Sequence, residues 1–420
     1  MGTAAVCLVV GQGYVGLPVA MRAVEAGFDV IGFEADASRV KRLNTGDSYV
    51  EDVPVEVLER ALATGRYRAV ATLDDIDGFD VAVLSVPTPL REGAPDLGHI
   101  ESAARDVGDH LRKGATVILE STTYPGTTDE LVAPILEDRS GLIAGRDFHL
   151  GYSPERIDPG NPTWTFVNTP KVVSGIDEAS LAAVRTFYDQ LVDETVPVSS
   201  PKEAELTKLL ENTFRHVNIA LVNELAMYAH DLGIDIWEAI DAASTKPFGY
   251  LRFTPGPGVG GHCLPVDPSY LAWRVRRRLG ESFRFVELAN DVNDHMPDYV
   301  VRRLVVSLNQ RGMALLGRRV LLLGFAYKKN TGDARETPAA SIARQLIGLG
   351  ANVCIADPHV DEAQLPTDVE RVDFHAGELA RADAVVLLAD HDVFDLSEVA
   401  GASFVLDCRH RLRGPNVEQL

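Results

Sequence analysis

The sequence predicts an α/β chain in which two doubly wound parallel-sheet domains flank a central helical domain built on one long helix. Three observations lead there. An apolar run, a glycine turn and a helical stretch follow one another at the N-terminus; the same order returns near the C-terminus; and a long helical run without a breaker lies between them.

Ala4 to Val10 (AAVCLVV) is a short apolar run rich in β-branched residues, followed by Gly11-Gln12-Gly13-Tyr14-Val15-Gly16 and the helical LPVAMRAVEAG. A second apolar run, Asp29 to Phe33, ends at Glu34, about the ~20-residue distance at which a carboxylate receives the ribose hydroxyls of a dinucleotide. The pattern therefore reads as a Rossmann-like fingerprint, and Glu34 favours NAD over NADP because a 2′-phosphate would be repelled. A glycine turn that merely packs a helix on a sheet would open with the same letters. Further strands are expected at Asp80 to Ser85 and Ala115 to Leu119. Their polar continuations, SVPTP and ESTTYPG, fall at carboxyl ends of strands, where open α/β sheets bind ligands.

The C-terminal part repeats the plan. Arg319 to Gly324 (RVLLLG) leads through FAYKKNTGDARETP to a helix, AASIARQLIGLG, and a strand, ANVCIAD, while ADAVVLLAD at 382–390 echoes FDVAVLSVP at 79–87. The glycine fingerprint is absent here, and Lys328, Lys329 and Arg335 occupy the equivalent turn, which suits a differently shaped anion. A basic, solvated loop would read alike. The expected boundaries are 1–198 for the NAD-binding domain, 199–310 for the helical domain and 311–420 for the second Rossmann-like domain.

Ser200 and Pro201 open the central helix, and ELTKLLENTFRHVNIALVNELAMYAHDLG continues it to Gly233. Its apolar faces suit packing against other helices or a second subunit. Lys208 and Asn212, four apart, share one face, which an exposed polar stripe would also explain. The run Arg274 to Arg278 reads as a solvated face.

GPGVGGHCLPVDP (256–268) ends a glycine-rich run on Cys263, four residues before Asp267. Gly256, Gly258 and Gly261 satisfy the spacing of the dinucleotide fingerprint, but no apolar strand precedes them and no helix is expected to open on them, so the match is a decoy. Glycines let backbone approach a ligand, and a thiol in such a loop becomes a nucleophile when amide N–H groups or a cation such as Lys208 stabilise the thiolate. His262 is a weaker candidate base. Cys7, Cys354 and Cys408 lie in or beside apolar strands and read as small core residues.

A chain of 420 residues exceeds one core. A net charge of -21 argues against nucleic-acid or anionic-membrane partners, so an anionic substrate must meet a local basic pocket. Four scattered cysteines without C-x-x-C spacing fit neither a disulfide framework nor a metal site and suggest a reducing, cytoplasmic setting. No targeting segment or membrane-spanning run is read.

A covalent cysteine in an NAD enzyme has a particular use. Oxidising an aldehyde to an acid needs a tetrahedral oxygenated carbon from which hydride can leave, and thiolate attack makes it; water then hydrolyses the thioester. Oxidation of a primary alcohol to an acid is the expected reaction.

Through GQGYVGLPVA, SVPTPL, ESTTYPGTT, YSPERIDPGN, AELTKLLENTFRHVNIALVNE, TKPFGY, GPGVGGHCLPVDP and AYKKNTGDARETP, the chain resembles the UDP-glucose/GDP-mannose dehydrogenase family over essentially its whole length. The resemblance implies oxidation of a nucleotide-sugar C6 hydroxymethyl to a carboxylate with two NAD, and a homodimer or higher homo-oligomer formed through the central helices. It makes Cys263 the nucleophile and gives Lys208 and Asn212 the oxyanion and C6 oxygen. Asp267 and Thr122 hold water or the reacting hydroxyl, and Glu155 assists hydrolysis. It places the cofactor on Gly11, Gly13, Tyr14, Val15, Gly16, Glu34, Arg39, Pro87, Thr88, Ser121, Thr122 and Arg335. The nucleotide sugar falls to Glu155, Arg156, Lys208, Asn212, Tyr250, Phe253, Gly258, Gly260, Lys328 and Arg409. Val266 stands where UDP-glucose dehydrogenases usually carry lysine, and PGPG, GHC and TKPFG look like the UDP-N-acetylglucosamine 6-dehydrogenases; UDP-glucose and UDP-N-acetylmannosamine enzymes are the alternatives. Gln12, Glu34 and Arg252 depart from the pattern without touching the reaction type. A two-electron hydroxyacid or sugar dehydrogenase shares the two-domain plan but would not need Cys263.

Overall fold

The apolar runs form strands buried on both faces, as parallel sheets covered by helices require. A computed structural model describes residues 4–91, 93–157, 161, 163–261 and 263–420, with only the backbone described at Cys263; His262 lies outside the described residues. The chain divides into two units, Met1–Glu211 with Ser269–Gly280, and Asn212–Pro268 with Glu281–Leu420.

In the first unit the strands are β1 (Val6–Val10), β2 (Asp29–Phe33), β3 (Tyr67–Val70), β4 (Val81–Leu84), β5 (Thr116–Leu119), β6 (His149–Tyr152), β7 (Lys171–Gly175) and β8 (Thr195–Pro197). They lie in the order β8-β7-β6-β5-β4-β1-β2-β3. The described pairs are parallel except β6 with β7. Helix α1 (Gly16–Glu25) follows β1, and α2 (Glu178–Tyr188) packs on β7 through Val184 and Phe187. Strand order reverses between β1 and β4, so their carboxyl ends open the crevice where such sheets take ligands.

In the second unit β9 (Arg319–Leu323), β10 (Asn352–Ala356), β11 (Glu370–Arg371), β12 (Ala384–Leu387), β13 (Val405–Asp407) and β14 (Val417–Gln419) form a parallel sheet ordered β11-β10-β9-β12-β13-β14. One face buries Val320, Leu322 and Ile355 with Ile342 and Leu346 of α7 (Pro338–Gly348) and Val300 and Leu304 of α6 (Arg284–Gln310). The sheet has its own switch point between β9 and β12.

Helix α3 (Pro201–Asp231) starts and ends close to where the sequence places it, and α4 (Ile236–Ser244) is capped by Asp235. The glycine-rich loop departs from expectation: α5 (Cys263–Leu279) opens directly on it. Proline ordinarily breaks a helix. Pro265, however, falls in the first turn, where its missing N–H has no intrahelical carbonyl to meet. Cys263 is thereby the first residue of a helix, not a residue of an irregular loop.

The buried side of α3 is mixed, with Ala204, Leu209, Ala220, Val222, Ala226 and Ala229 buried beside polar residues. Glu205, Lys208, Asn212, Thr213, His216 and Asn223 are buried, while Leu206, Leu210, Phe214, Leu221, Leu225 and Tyr228, and Leu232 just beyond the helix, are each between 41% and 72% exposed. The exposed-stripe explanation of Lys208 and Asn212 is thus wrong; it is the apolar stripe that faces outward. Among the described residues no helix is long and apolar enough to cross a membrane.

Candidate active site

The turn after β1 is built for close approach. Gly11 has φ +89°, and a Cβ on Gly16 would lie 1.8 Å from the Gly11 carbonyl oxygen and 2.4 Å from Ser85 Oγ. A side chain there would push α1 away from the crevice. A Cβ on Gly13 would meet nothing, and α1 has no acid in its first turn, so its N-terminus offers unopposed positive potential. Glu34, at the end of β2, accepts from the Gln12 amide at 3.3 Å and the Asp36 amide at 3.1 Å, with Arg39 4.0 Å away. These residues fit a dinucleotide whose pyrophosphate meets the helix N-terminus and whose ribose meets Glu34. Gln12 is buried, bonded to Tyr67 Oη at 2.8 Å and the Val9 carbonyl at 2.9 Å, so it braces the turn from below. Tyr14 is exposed and Val15 caps α1.

Across the crevice, the hydroxyls of Thr88 and Ser121 lock the two strand-end loops together. Thr88 Oγ1 donates to the Thr122 carbonyl at 2.9 Å and Ser121 Oγ to the Val86 carbonyl at 2.7 Å. Pro87 is exposed and Thr122 half-buried. Glu205 of α3 holds the next turn, accepting from the Gly126 amide at 2.6 Å, the Thr128 amide at 2.9 Å and Thr128 Oγ1 at 2.8 Å. Burial lifts its carboxyl to about 7 against the pull of those donors.

Lys208 and Glu155 meet in the first unit, the lysine Nζ donating to the Glu155 main-chain carbonyl at 2.5 Å. Arg156 donates to the Pro170 carbonyl at 2.6 Å and pairs with Glu211 at 2.7 Å. Behind Glu155 lies a buried ion cluster of Glu120, Lys171 and Tyr188. Arg274 is no solvated cation: it pairs with Glu130 and stacks over Tyr124, while Arg276, Arg277 and Arg278 are exposed.

In the second unit Asn212 Nδ2 donates to Asp267 Oδ2 at 2.6 Å, and both residues are buried. The glycines of the loop before Cys263 serve packing against their own unit. A Cβ on Gly260 would lie 2.7 Å from Tyr327 Cβ and 2.8 Å from the Glu336 carbonyl, and one on Gly258 (φ +129°) 3.1 Å from Pro338. The Asn223 side chain fixes the loop further, accepting the Gly256 amide at 2.9 Å and donating to Asn293 at 2.9 Å. Phe253 meets Phe214 edge-on at 5.8 Å, and Tyr250 is half-buried.

The second switch point is organised differently. Asp357, the counterpart of Glu34, accepts the Phe325 and Ala326 amides at 2.6 and 2.8 Å, the His359 amide at 2.9 Å and His391 Nε2 at 3.0 Å. Burial raises its carboxyl, yet His391 and those amides outweigh burial and hold it at about 2. No ribose contact is left to it. Lys329 pairs with Asp392 at 2.6 Å, and Arg335 makes a bidentate pair with Asp333, whereas Lys328 belongs to the same turn. A cavity of about 320 Å³ is lined by Trp237, Arg252, Asp390, Arg409, His410 and Arg411. The Trp237 and His410 rings stack at 4.5 Å, inclined by 13°.

Three family models for the UDP-glucose/GDP-mannose dehydrogenases match in order: the NAD-binding domain at residues 5–192, the central domain at 202–295 and the UDP-binding domain at 321–414. The chain belongs to the UDP-glucose/GDP-mannose dehydrogenase family. It is an NAD-dependent nucleotide-sugar dehydrogenase. It is 39% identical to a UDP-N-acetyl-D-glucosamine 6-dehydrogenase of Pseudomonas aeruginosa over 84% of this chain and 82% of that one. It is 34% identical to a UDP-N-acetyl-D-mannosamine dehydrogenase of Pyrococcus horikoshii over 96% and 93% of the two chains. A solved UDP-D-ManNAc dehydrogenase from Pyrococcus horikoshii superposes with a TM-score of 0.90 at 31% identity, covering 99% of this chain and 98% of that one.

Sequence reasoning passed over Glu120, Lys171, Glu205 and the Trp237–His410 stack. A lysine opening a fully buried strand (KVVSG) was the available signal for the first pair, because such a cation needs a buried partner.

Proposed function

We propose that this dehydrogenase oxidises the C6 hydroxymethyl of UDP-N-acetylglucosamine to a carboxylate, four electrons leaving in two steps, the second through a thiohemiacetal of Cys263. The observation that supports the reading is the burial of Lys208 and Asn212 on α3, the first bonded to the carbonyl of Glu155 and the second to Asp267. Burying these polar groups while Leu206, Leu210, Leu221 and Leu225 of the same helix stay exposed has a large desolvation cost, and reaction chemistry explains it better than stability does.

Bound NAD would accept hydride from C6 in both oxidations. Lys208 and Asn212 supply donors for the C6 oxygen as negative charge develops on it. Asp267 and Thr122 hold the hydroxyl and then water. Cys263, at the first position of α5, adds its sulfur to the aldehyde carbon, and amide N–H groups at a helix N-terminus favour the thiolate. Burial pushes Cys354 and Cys408 up to about 12, and Cys7 higher, which leaves those thiols inert. Glu155 takes the proton of the water that releases the acid.

Gly11, Gly13, Gly16, Glu34 and Arg39 would hold the dinucleotide. Around the stacked Trp237 and His410, the guanidinium groups of Arg252, Arg409 and Arg411 suit a planar base carrying phosphate, with Lys328 on the diphosphate. The working division is 1–198, 199–310 and 311–420, and the setting cytoplasmic. The exposed leucine stripe of α3 would be covered by a second copy of the chain.

The sugar is tested by comparing kcat/KM for UDP-N-acetylglucosamine, UDP-N-acetylmannosamine and UDP-glucose. A pocket shaped for the acetamido group leaves a void and unpaired polar groups with glucose, so a strong preference for UDP-N-acetylglucosamine is expected. A preference for UDP-glucose overturns the sugar assignment and leaves the two-step oxidation standing.

A further inference from the structure

The end of β5, the start of β7 and the segment after β6 bring two carboxylates and one ammonium together in the interior of the first unit. Lys171 is almost wholly buried. Its Nζ forms a salt bridge with Glu120 Oε1, donates to the Pro154 carbonyl at 3.2 Å and lies 3.9 Å from Glu155 Oε2. Glu120 is fully used: its Oε1 takes Lys171 and its Oε2 takes the Tyr188 hydroxyl at 2.8 Å. The rings of Tyr188 and Phe166 stand 5.1 and 5.4 Å from the ammonium and exclude water from it. Glu155 Oε1 accepts the amide of Ile157, but its Oε2 is buried without a hydrogen bond among the described residues.

Charge bookkeeping singles out the third member. Glu120 and Lys171 already neutralise each other, so a purely structural pair would be complete without Glu155. Leaving a second carboxylate oxygen buried, unbonded and facing that ammonium has a cost in stability. Other charges nearby do not substitute for Lys171. Lys208 reaches the main-chain carbonyl of Glu155, not its carboxylate, and Arg156 is committed to Glu211 and the Pro170 carbonyl. On the far side, Glu120 faces the buried thiol of Cys7, which is neutral.

We propose that Lys171 is a positioning residue for thioester hydrolysis: anchored by Glu120, its ammonium pairs with the Glu155 carboxylate and orients it while Glu155 acts as general base. The inference rests on the reading of Glu155 given above. In the step itself, water passes one proton to Glu155 as its oxygen bonds to the acyl carbon. The C–S bond then breaks with its electron pair on the Cys263 sulfur. The proton on Glu155 and that of the new carboxyl group go to solvent, leaving carboxylate and thiolate. Burial lifts Glu120 to about 6 despite Lys171, with Glu155 adding to the rise, so the two carboxylates compete for a single cation.

That competition gives the test opposite signs. Thioester decay is followed against pH by intact-protein mass spectrometry after a single turnover, in wild type and in Glu155→Gln, Lys171→Gln and Glu120→Gln. Removing the ammonium should move the acid limb of hydrolysis to higher pH by roughly one unit or more, since an adjacent opposite charge shifts a carboxyl by ~1–3 units. Glu120→Gln, near-isosteric and neutral, frees Lys171 for Glu155 and should move the limb the other way. If Lys171→Gln does not fold, the Glu120→Gln shift decides alone. An unmoved limb, or one moved upward in Glu120→Gln, overturns the role of Lys171 provided Glu155→Gln slows decay. Decay at the wild-type rate in Glu155→Gln overturns the reading of Glu155 itself, and the inference with it.

Discussion

Serine in place of Cys263 separates binding from chemistry at a single atom. Cys263→Ser should bind NAD and nucleotide sugar nearly as wild type, yet lose acid formation by about 10³-fold or more, because a hydroxyl has no accessible anion at neutral pH. Binding calorimetry beside product analysis checks it, and uronate formed at the wild-type rate would remove the covalent step. Gly16 offers a second single-residue test. A Cβ there meets the Gly11 carbonyl oxygen at 1.8 Å, so Gly16→Ala should weaken NAD binding at least tenfold in a titration of the folded protein. At this scale the sequence pattern reached the glycine turn after β1 and Glu34 at the end of β2, whose spacing carries a mechanism, and left the burial of Lys208 and Asn212 open. Glu120 and Lys171 stand 51 residues apart and meet only because β5, β6 and β7 are adjacent, which no local pattern encodes.

Elements were legible where period and punctuation agreed. The strands at Val6, Asp29, Thr116, Arg319 and Asn352 follow their apolar runs, and α3 begins at Pro201. The start of α5 was hidden because proline at the first turn and proline as a breaker are the same letter. Apolar faces free to pack elsewhere were legible in α3, but which polar residues turn inward was not, because periodicity does not say which face is buried. Glu205 shows what that helix does for the loop at 126–128. Its folded carboxyl stands at about 7 against an ordinary 4.5, raised by burial. A raised carboxyl contributes stability that is present below pH 4.5 and lost as pH climbs through 7. The Tm advantage of wild type over Glu205→Gln should therefore shrink between pH 5 and pH 8. A gap that stays constant or widens over that range would contradict the assignment.

Across the whole molecule, two sheets with reversing strand order place their switch points at β1/β4 and β9/β12; the first ends on Glu34, which accepts two amides, and the second on Asp357, which is tied to amides and to His391. The apolar stripe from Leu206 to Leu232 exposes large hydrophobic side chains to water. Light scattering should give about twice the 45.5 kDa of one chain, and the pair Leu210→Arg with Leu221→Arg should give the single-chain mass. A wild-type protein of 45.5 kDa would leave the stripe without its proposed cover. The proposed reaction takes one primary alcohol to an acid through a sulfur-bound intermediate. Counting NADH formed per UDP-N-acetylglucosamine consumed, with the product's mass read in parallel, tests it most directly. Two NADH and a uronate are predicted; one NADH with an accumulating aldehyde would contradict it.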